Sequence, residues 1–329
     1  MPRSQELDEF ALIERHFAPL ARSLPGSLGL LDDGALLEIE PDHKLVVAAD
    51  MAIEGVHFTA SDPPELIGRK VIRYNLSDLA AMGARPLAYL LALAKPVNRS
   101  SDWVGAIAGG LARDQEEFGI SLVGGDTTST PGPAVLSITV LGTVGVGGAL
   151  LRAGARPGDA IFVSGTIGDS ALGLAAAMGE LGRIDASDQD YLLGRYQLPS
   201  PRLALGQALV GIATAAIDVS DGLIADLAHV CRASGVAATI EAEKIPFSAE
   251  ARRVHAQDER FWRASLTGGD DYELLFCVPS DRLGEIEALG HAADVAVTQI
   301  GSISDGTDVQ VIGENGEAVT FDHGGYRHF

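Results

Sequence analysis

The chain is poor in cysteine, in positive charge and in uninterrupted apolar runs, and each shortage removes a class of protein. Its 329 residues hold two cysteines, Cys231 and Cys277, neither in a CxxC nor in a Cys/His cluster. No disulfide framework or structural zinc site is expected, and both thiols read as reduced and buried. Lys and Arg number 24 against 45 Asp and Glu, a formal charge of −21. Nucleic acid and anionic membrane surfaces both require a basic footprint, so neither is an expected partner. An anionic ligand is still compatible, because divalent cations can sit between carboxylates and phosphates. The opening residues Met1-Pro-Arg-Ser-Gln-Glu-Leu-Asp carry no apolar signal segment, which predicts a cytoplasmic protein. The one uncharged run, Ala134 to Leu151, contains Ser137, Thr139, Thr143 and four glycines. Its first half alternates like a strand, so it predicts no membrane span. Also missing are GxxxxGK[ST], a GxGxxG after a strand, the HRD and DFG elements of protein kinases, GxSxG and HExxH. The standard phosphate loops, nucleophile elbows and zincin helices are thereby excluded.

What is present is ample apolar content, 47% hydrophobic residues, and enough length for roughly two domains. Residues 4–17 have helical spacing, with Ser4 as N-cap and Leu7, Phe10, Ile13 and Phe17 on one face. Strands are expected at 44–49, 86–94, 120–126, 135–144, 160–164, up to Asp218, and at 272–278. Helices are expected at 65–82, 103–118, from about 170, and after Asp221-Gly222. Gly145 to Gly158, dense in glycine with one proline, marks the domain boundary. The expected division is an N-terminal domain 1–148 and a C-terminal domain 149–329. Strands and helices mix in both halves without strict βαβ alternation, which favours two α+β domains.

The informative feature is an aspartate recurring at strand ends or in glycine turns: Asp32-Asp33-Gly34, Val46-Val-Ala-Ala-Asp50, Asn75-Leu-Ser-Asp78, Gly124-Gly-Asp126, Asp218-Val-Ser-Asp221-Gly and Gly268-Gly-Asp270-Asp271. Any one of these is most simply a turn former or helix cap, and Asp221 could cap the helix that follows it. Six together suit hard divalent ions with oxygen ligands, Mg²⁺ above all, which commonly also bind substrate phosphates. Glycine is abundant, 39 residues. Gly124-Gly125 and Ser164-Gly-Thr-Ile-Gly168 sit where backbone amides could approach phosphate oxygens.

Several of these segments, with Asp50-Met-Ala-Ile-Glu-Gly-Val-His-Phe58, Asn75-Leu-Ser-Asp-Leu-Ala-Ala-Met-Gly-Ala84, Gly124-Gly-Asp-Thr-Thr128, Gly168-Asp-Ser-Ala171, Ile217-Asp-Val-Ser-Asp-Gly-Leu223 and Gly268-Gly-Asp-Asp-Tyr-Glu-Leu274, resemble the thiamine-monophosphate kinase family over almost the whole chain. The Asn75 segment is shared with a wider ATP-using superfamily that includes aminoimidazole ribonucleotide synthetase and selenophosphate synthetase. The resemblance implies that architecture: an N-terminal mixed sheet that pairs in a homodimer, and a C-terminal α/β sandwich. It implies the reaction of ATP with thiamine phosphate to give ADP and thiamine diphosphate, with several Mg²⁺ ions. By the same resemblance Asp33, Asp50, Asp78, Asp126, Asp218 and Asp221 fall on magnesium positions. Gly125, Arg152 and Ser220 fall on ATP positions, and His57, Asp270 and Tyr326 on positions that contact thiamine phosphate. Three departures stand out: Leu31 where a Gly usually precedes the Asp pair, Ala48-Ala49 in place of hydroxyl residues, and Asp270 where Glu is common.

A phosphate monoester is already anionic near neutral pH, so its attacking oxygen needs no general base. The expected route is direct, in-line γ-phosphoryl transfer in which positioning and cations bring two polyanions together, with Arg152 adding positive charge. Alternatives are a sister enzyme of the superfamily, a metal-dependent phosphohydrolase and a non-catalytic Mg²⁺/nucleotide-binding module. A selenophosphate synthetase usually carries a reactive Cys near its N-terminus, whereas the first cysteine here is Cys231. Product identity with Mg²⁺-ATP and thiamine phosphate, compared with thiamine, separates them all.

Overall fold

A computed structural model describes residues 7–321 and 324–326. The chain forms two compact units, one of residues 7–79 with Arg85–Val146, the other of Ala80–Ala84 with the chain from Gly147 onward.

The first unit is a four-stranded mixed sheet with helices. It contains α1 (Glu9–Leu12), β1 (His43–Ile53), α2 (Pro64–Ala81), β2 (Arg85–Pro96), α3 (Ser101–Phe118), β3 (Ser121–Thr130) and β4 (Val135–Gly145). The strand order is β1-β4-β2-β3, with β4 antiparallel to both neighbours and β2 parallel to β3. Parallel neighbours need a crossover, and α3 supplies it. Strand β4 alternates buried and half-buried residues as a one-sided strand should, which accounts for its apolar run without a membrane. Helix α3 starts at Ser100, whose hydroxyl accepts the Trp103 N–H, and stops at left-handed Gly119. Helices α2 and α3 approach closely: a Cβ on Gly68 would lie 2.4 Å from the Ile107 carbonyl, and one on Gly110 2.1 Å from that of Glu65. Buried Asp114 of α3 ties them further, accepting from Arg73 Nε and Arg69 Nε of α2, each at 2.7 Å.

Two expectations are corrected here. Ser4 lies outside the described residues, and α1 is capped instead by Asp8, whose carboxylate accepts the Ala11 N–H at 2.8 Å. The chain then widens into a π-helical turn, Ile13–Phe17. That turn brings Phe17 into phase with Leu12, both buried, and leaves Phe10 81% exposed. Gly124-Gly125-Asp126 is not a turn but the middle of β3. A register shift opposite Tyr89 and Leu90 admits the strand through this point.

The second unit holds a seven-stranded mixed sheet. In chain order it contains β5 (Ala160–Ser164), α4 (Asp169–Ala177), α5 (Ala186–Gln197), α6 (Leu203–Ala208), β6 (Ala215–Asp218), α7 (Leu223–Ser234), β7 (Ala237–Glu241), α8 (Ala249–His255), α9 (Glu259–Thr267), β8 (Leu274–Val278), α10 (Leu283–Ala292), β9 (Val297–Ser304), β10 (Val309–Ile312) and β11 (Ala318–Val319). The order across the sheet is β11-β10-β7-β9-β5-β8-β6. Strands β5 and β8 are buried throughout, as their unbroken apolar sequences require. Leu227, Val230 and Cys231 of α7 pack with Ile217, Leu275 and Cys277 of the sheet in one core. Both cysteines are free and buried as expected, and burial pushes the Cys231 thiol up to about 11. Among the described residues no helix is long and apolar enough to cross a membrane.

Candidate functional site

In the first unit a cavity of about 140 Å³ opens beside β3, lined by Asp32, Asp33, Gly124, Gly125 and Asp126 over a floor that includes Phe17 and Leu91. Asp33 and Asp126 are exposed there, and the Asp33 N–H is held by Asp32 Oδ1 at 3.1 Å. Gly125 has φ +155, and a Cβ on it would stand 1.8 Å from the Leu91 carbonyl oxygen. Only glycine allows β2 and β3 to close at this point. Leu31, just before the pair, is 91% exposed.

Asp50 lies on β1, at the opposite edge of the same sheet. The register runs Asp50–Ile138–Leu91–Gly125, so Asp50 and the Gly125-Asp126 segment are three strand spacings, roughly 14 Å, apart. A single ion with 2 Å bonds cannot span them. Asp50 is tied instead to α2: its N–H donates to Asn75 Oδ1 at 3.1 Å, while Asn75 Nδ2 donates to the Val71 carbonyl at 2.8 Å. Asn75 is fully buried and lies one turn before Asp78, so it fixes β1 against the helical turn that carries Asp78. His57 follows β1 in a tight turn where Nδ1 accepts the Ile53 N–H at 3.1 Å. The neutral ring therefore carries its hydrogen on Nε2. Lys70 Nζ donates to the His57 carbonyl at 3.2 Å.

The second unit collects the remaining residues around one turn. Asp218 ends β6 almost fully buried, and Ser220 and Asp221 follow, half-buried. The Asp270 N–H donates to the Ser220 carbonyl at 2.9 Å, and the Tyr326 N–H to that of Asp221 at 2.9 Å. Asp270 holds φ +71 and accepts the Tyr272 hydroxyl at 3.1 Å. Left-handed backbone at a non-glycine residue persists only where its surroundings enforce it. Tyr326 is 52% exposed. Arg152 is exposed, and its carbonyl accepts from the Ser234 hydroxyl. The pKa of His229 on α7 is lowered by burial and by Arg152, and raised in turn by Asp221. Arg152 and Asp221 therefore both act on one ring of α7.

One proposed phosphate cradle and one proposed cap are corrected. Four of the amides after β5 are already engaged: Gly165 and Ile167 donate to the Ala296 and Pro246 carbonyls. Gly168 and Ser170 donate to the Asp271 carboxylate at 2.6 and 3.1 Å. Asp271 is completely buried and its pKa is raised well above the usual carboxylate range by that burial. Asp221 does not cap α7; the N-cap is Gly222, with no side-chain cap. The acceptor there is Asp226, one turn into the helix, whose Oδ2 receives the Ser220, Asp221 and Gly222 amides at 3.0, 3.0 and 3.1 Å. Burial, and then the nearby Asp218, push Asp226 up to about 8. Glu273 is equally buried, yet Arg202 and Arg195 hold it below its usual range. Asn75, Asp226, Asp271 and Glu273 were not anticipated as site-forming. Asn75, Asp271 and Glu273 lie within the quoted motifs and Asp226 three residues beyond one, with no local pattern that sets them apart as internal acceptors.

Among the described residues no group of three or more His, Cys, Asp or Glu side chains is placed to hold a metal ion. The donor set nevertheless suits Mg²⁺, which usually takes one or two carboxylates and fills its octahedron with water and substrate phosphate oxygens. Asp33 and Asp126 line one cavity, and Asp218 and Asp221 lie three residues apart at the end of β6.

Comparison with known proteins agrees with both units. Residues 31–144 match the N-terminal domain of the AIR synthase related protein family and residues 156–314 its C-terminal domain. The chain is thus an AIR synthase-related protein of two α+β domains. It is 42% identical over 323 residues to the thiamine-monophosphate kinase of Escherichia coli K12, covering 98% of each chain. The crystal structure of thiamine-monophosphate kinase from Stenotrophomonas maltophilia superposes with a TM-score of 0.84 at 42% identity, covering 95% of this chain and 98% of that one. The structure of AaThiL complexed with AMPPCP and TMP gives 0.78 at 31% identity, over 92% and 97%. The chain belongs to the thiamine-monophosphate kinase family and is an enzyme of phosphoryl transfer.

Proposed function

We propose that the protein transfers the γ-phosphoryl group of ATP to thiamine phosphate, releasing ADP and thiamine diphosphate, in one in-line step without a phosphoenzyme. The observation that carries this reading is the Ser220–Asp221 turn, hydrogen-bonded to both Asp270 and Tyr326. It joins residues expected at the nucleotide to residues expected at the thiamine. AMPPCP and TMP bound together in AaThiL support the choice of the two substrates.

In this scheme Gly125, Arg152 and Ser220 hold ATP, with the Arg152 guanidinium facing phosphate charge. His57 donates from Nε2 to the acceptor phosphate. Asp270 faces the cationic thiazolium or the aminopyrimidine, and Tyr326 lays its ring on the cation. Asp33, Asp50, Asp78, Asp126, Asp218 and Asp221 would hold several Mg²⁺ ions, which neutralise phosphate charge when bound. The exposed aspartates pay little desolvation cost until phosphate arrives. A homodimer through the N-terminal sheet is part of the same reading, supported by Leu45, Val47 and Met51 on β1 and Leu90 on β2, all exposed. The in-register pairs Leu45↔Thr143, Val47↔Leu141 and Leu90↔Thr139 place these side chains on one face.

The test is purified protein with Mg²⁺-ATP and thiamine phosphate or thiamine, read by product identity. Thiamine diphosphate formed from the phosphate alone is the expected result. Phosphate released without ATP consumption would indicate a hydrolase, ATP bound with no product a binding module, and a trapped phosphoprotein would refute the direct route.

A further inference from the structure

The turn that carries Ser220 and Asp221 has every peptide group engaged. The Val219 N–H donates to the Glu273 carbonyl at 2.8 Å, and the Val219 carbonyl accepts from Tyr272 at 2.8 Å. The Ser220 carbonyl accepts from Asp270 and the Asp221 carbonyl from Tyr326. The packing leaves no slack: a Cβ on Gly269 would lie 2.1 Å from the Ser220 oxygen, and one on Gly325 2.3 Å from Ala225 Cβ. On the inner side the three amides of Ser220, Asp221 and Gly222 converge on one oxygen, Oδ2 of Asp226, which is 2% exposed. Converging amides at a helix start form an anion-binding nest, and here the chain fills it with its own Asp226 carboxyl oxygen. Phosphate cannot use these amides while Asp226 is in place, so the turn meets its ligands with side chains.

We propose that Asp226 is a positioning residue for both substrates: by gripping the 220–222 amides it sets Ser220 and Asp221 directly, and Asp270 and Tyr326 through the carbonyls they bond. The inference rests on the reading of those four residues as ligand contacts. It has a consequence that separate contact residues would not produce, namely that one side chain touching neither ligand governs the affinity for each.

The experiment compares wild type with Asp226→Asn and Asp226→Glu, and with Ile303→Val in the same unit's core as a control for mild destabilisation. Calorimetric affinities are measured for Mg²⁺-AMPPCP and for thiamine phosphate, beside amide hydrogen exchange of the unliganded proteins. Loss of an outer-sphere partner typically costs 10–100-fold, so both affinities should fall roughly tenfold or more in the Asp226 variants and stay unchanged in Ile303→Val. Exchange at amides 220–222, and at Asp270 and Tyr326, should accelerate together. Unchanged affinities in a folded Asp226→Asn or Asp226→Glu protein overturn the proposal, as does acceleration confined to 220–222. Should wild type bind neither ligand, the functional reading fails on its own, and the exchange pattern still decides whether Asp226 governs Asp270 and Tyr326.

Discussion

The Asp271 carboxylate receives the Gly168 amide at 2.6 Å and the Ser170 amide at 3.1 Å, whereas its neighbour Asp270 turns away in a left-handed conformation. Two adjacent acids thus hold different jobs. Asp271 closes the start of α4 from inside the core, and Asp270 presents a half-buried carboxylate. Truncating Asp271 leaves two buried donors without an acceptor, which costs about 1–3 kcal/mol. Asp271→Ala should therefore lower the melting temperature by several degrees. Asp270→Asn, which tolerates the left-handed backbone and keeps an acceptor for the Tyr272 hydroxyl, should leave it nearly unchanged and raise the KM for thiamine phosphate. Calorimetric melting and steady-state kinetics on the two variants check the division, and equal Tm losses would contradict it.

His57 is locked by the Ile53 N–H on its Nδ1, so its remaining ring nitrogen has a fixed direction and a fixed hydrogen. If that hydrogen meets the acceptor phosphate, His57→Ala removes a charge-assisted bond of about 1.5–3 kcal/mol. The KM for thiamine phosphate should rise tenfold or more, with the KM for ATP moving far less. Equal changes in the two constants would assign His57 to the architecture of the β1 turn.

Gly125 and Gly109 make a paired test of backbone contact. A Cβ on Gly125 would overlap the Leu91 carbonyl at 1.8 Å, while one on Gly109 meets nothing within 4 Å. Gly125→Ala should part β2 from β3, lower the melting temperature and abolish nucleotide binding. Gly109→Ala, exposed on α3, should leave activity intact and stabilise by up to about 1 kcal/mol. A Gly125→Ala protein melting with wild type would mean that the strands yield at this point.

Much of this architecture was legible in the chain because hydrophobic period and punctuation agreed. Helix α3, Ser101–Phe118, covers the 103–118 stretch that its helical spacing predicts, and the alternation of β4 separates a strand from a membrane span. The resemblance also marked the segments that meet at the Ser220–Asp221 turn. The internal acceptors were not legible. Asp226 and Asp271 are sequence neighbours of expected ligands, and nothing in their local pattern says that they point inward to backbone amides. That depends on where two loops distant in sequence, 218–222 and 268–272, come to lie. The Gly124-Gly125 pair misled for a related reason: glycine marks a turn in sequence, but here it marks close approach of two strands. The π turn at Ile13–Phe17 shifted the apolar face by a fraction of a turn that a 3.6-residue period does not anticipate.

The acid side of the stability curve should carry the signature of His255. Its ring is held edge-on to Phe247, 4.8 Å between centroids, with Nε2 at 2.9 Å from the Ser265 hydroxyl. Burial, and then Arg252, lower its pKa to about 4, against 6.5 for a free imidazole. Between those values the unfolded chain holds more protons than the folded one, so the difference in bound protons between the unfolded and folded states is positive and stability rises with pH. The contribution is complete above about pH 6.5 and is lost as pH falls toward 4. With the ring only partly shielded from solvent, the loss should be on the order of 1 kcal/mol. Urea midpoints at pH 7.5, 6 and 5 should therefore drop less steeply for His255→Gln than for wild type, even though the variant starts from a lower stability. Parallel midpoint curves would show that the imidazole titrates normally in the folded protein, and that the Phe247 contact does not exclude its proton.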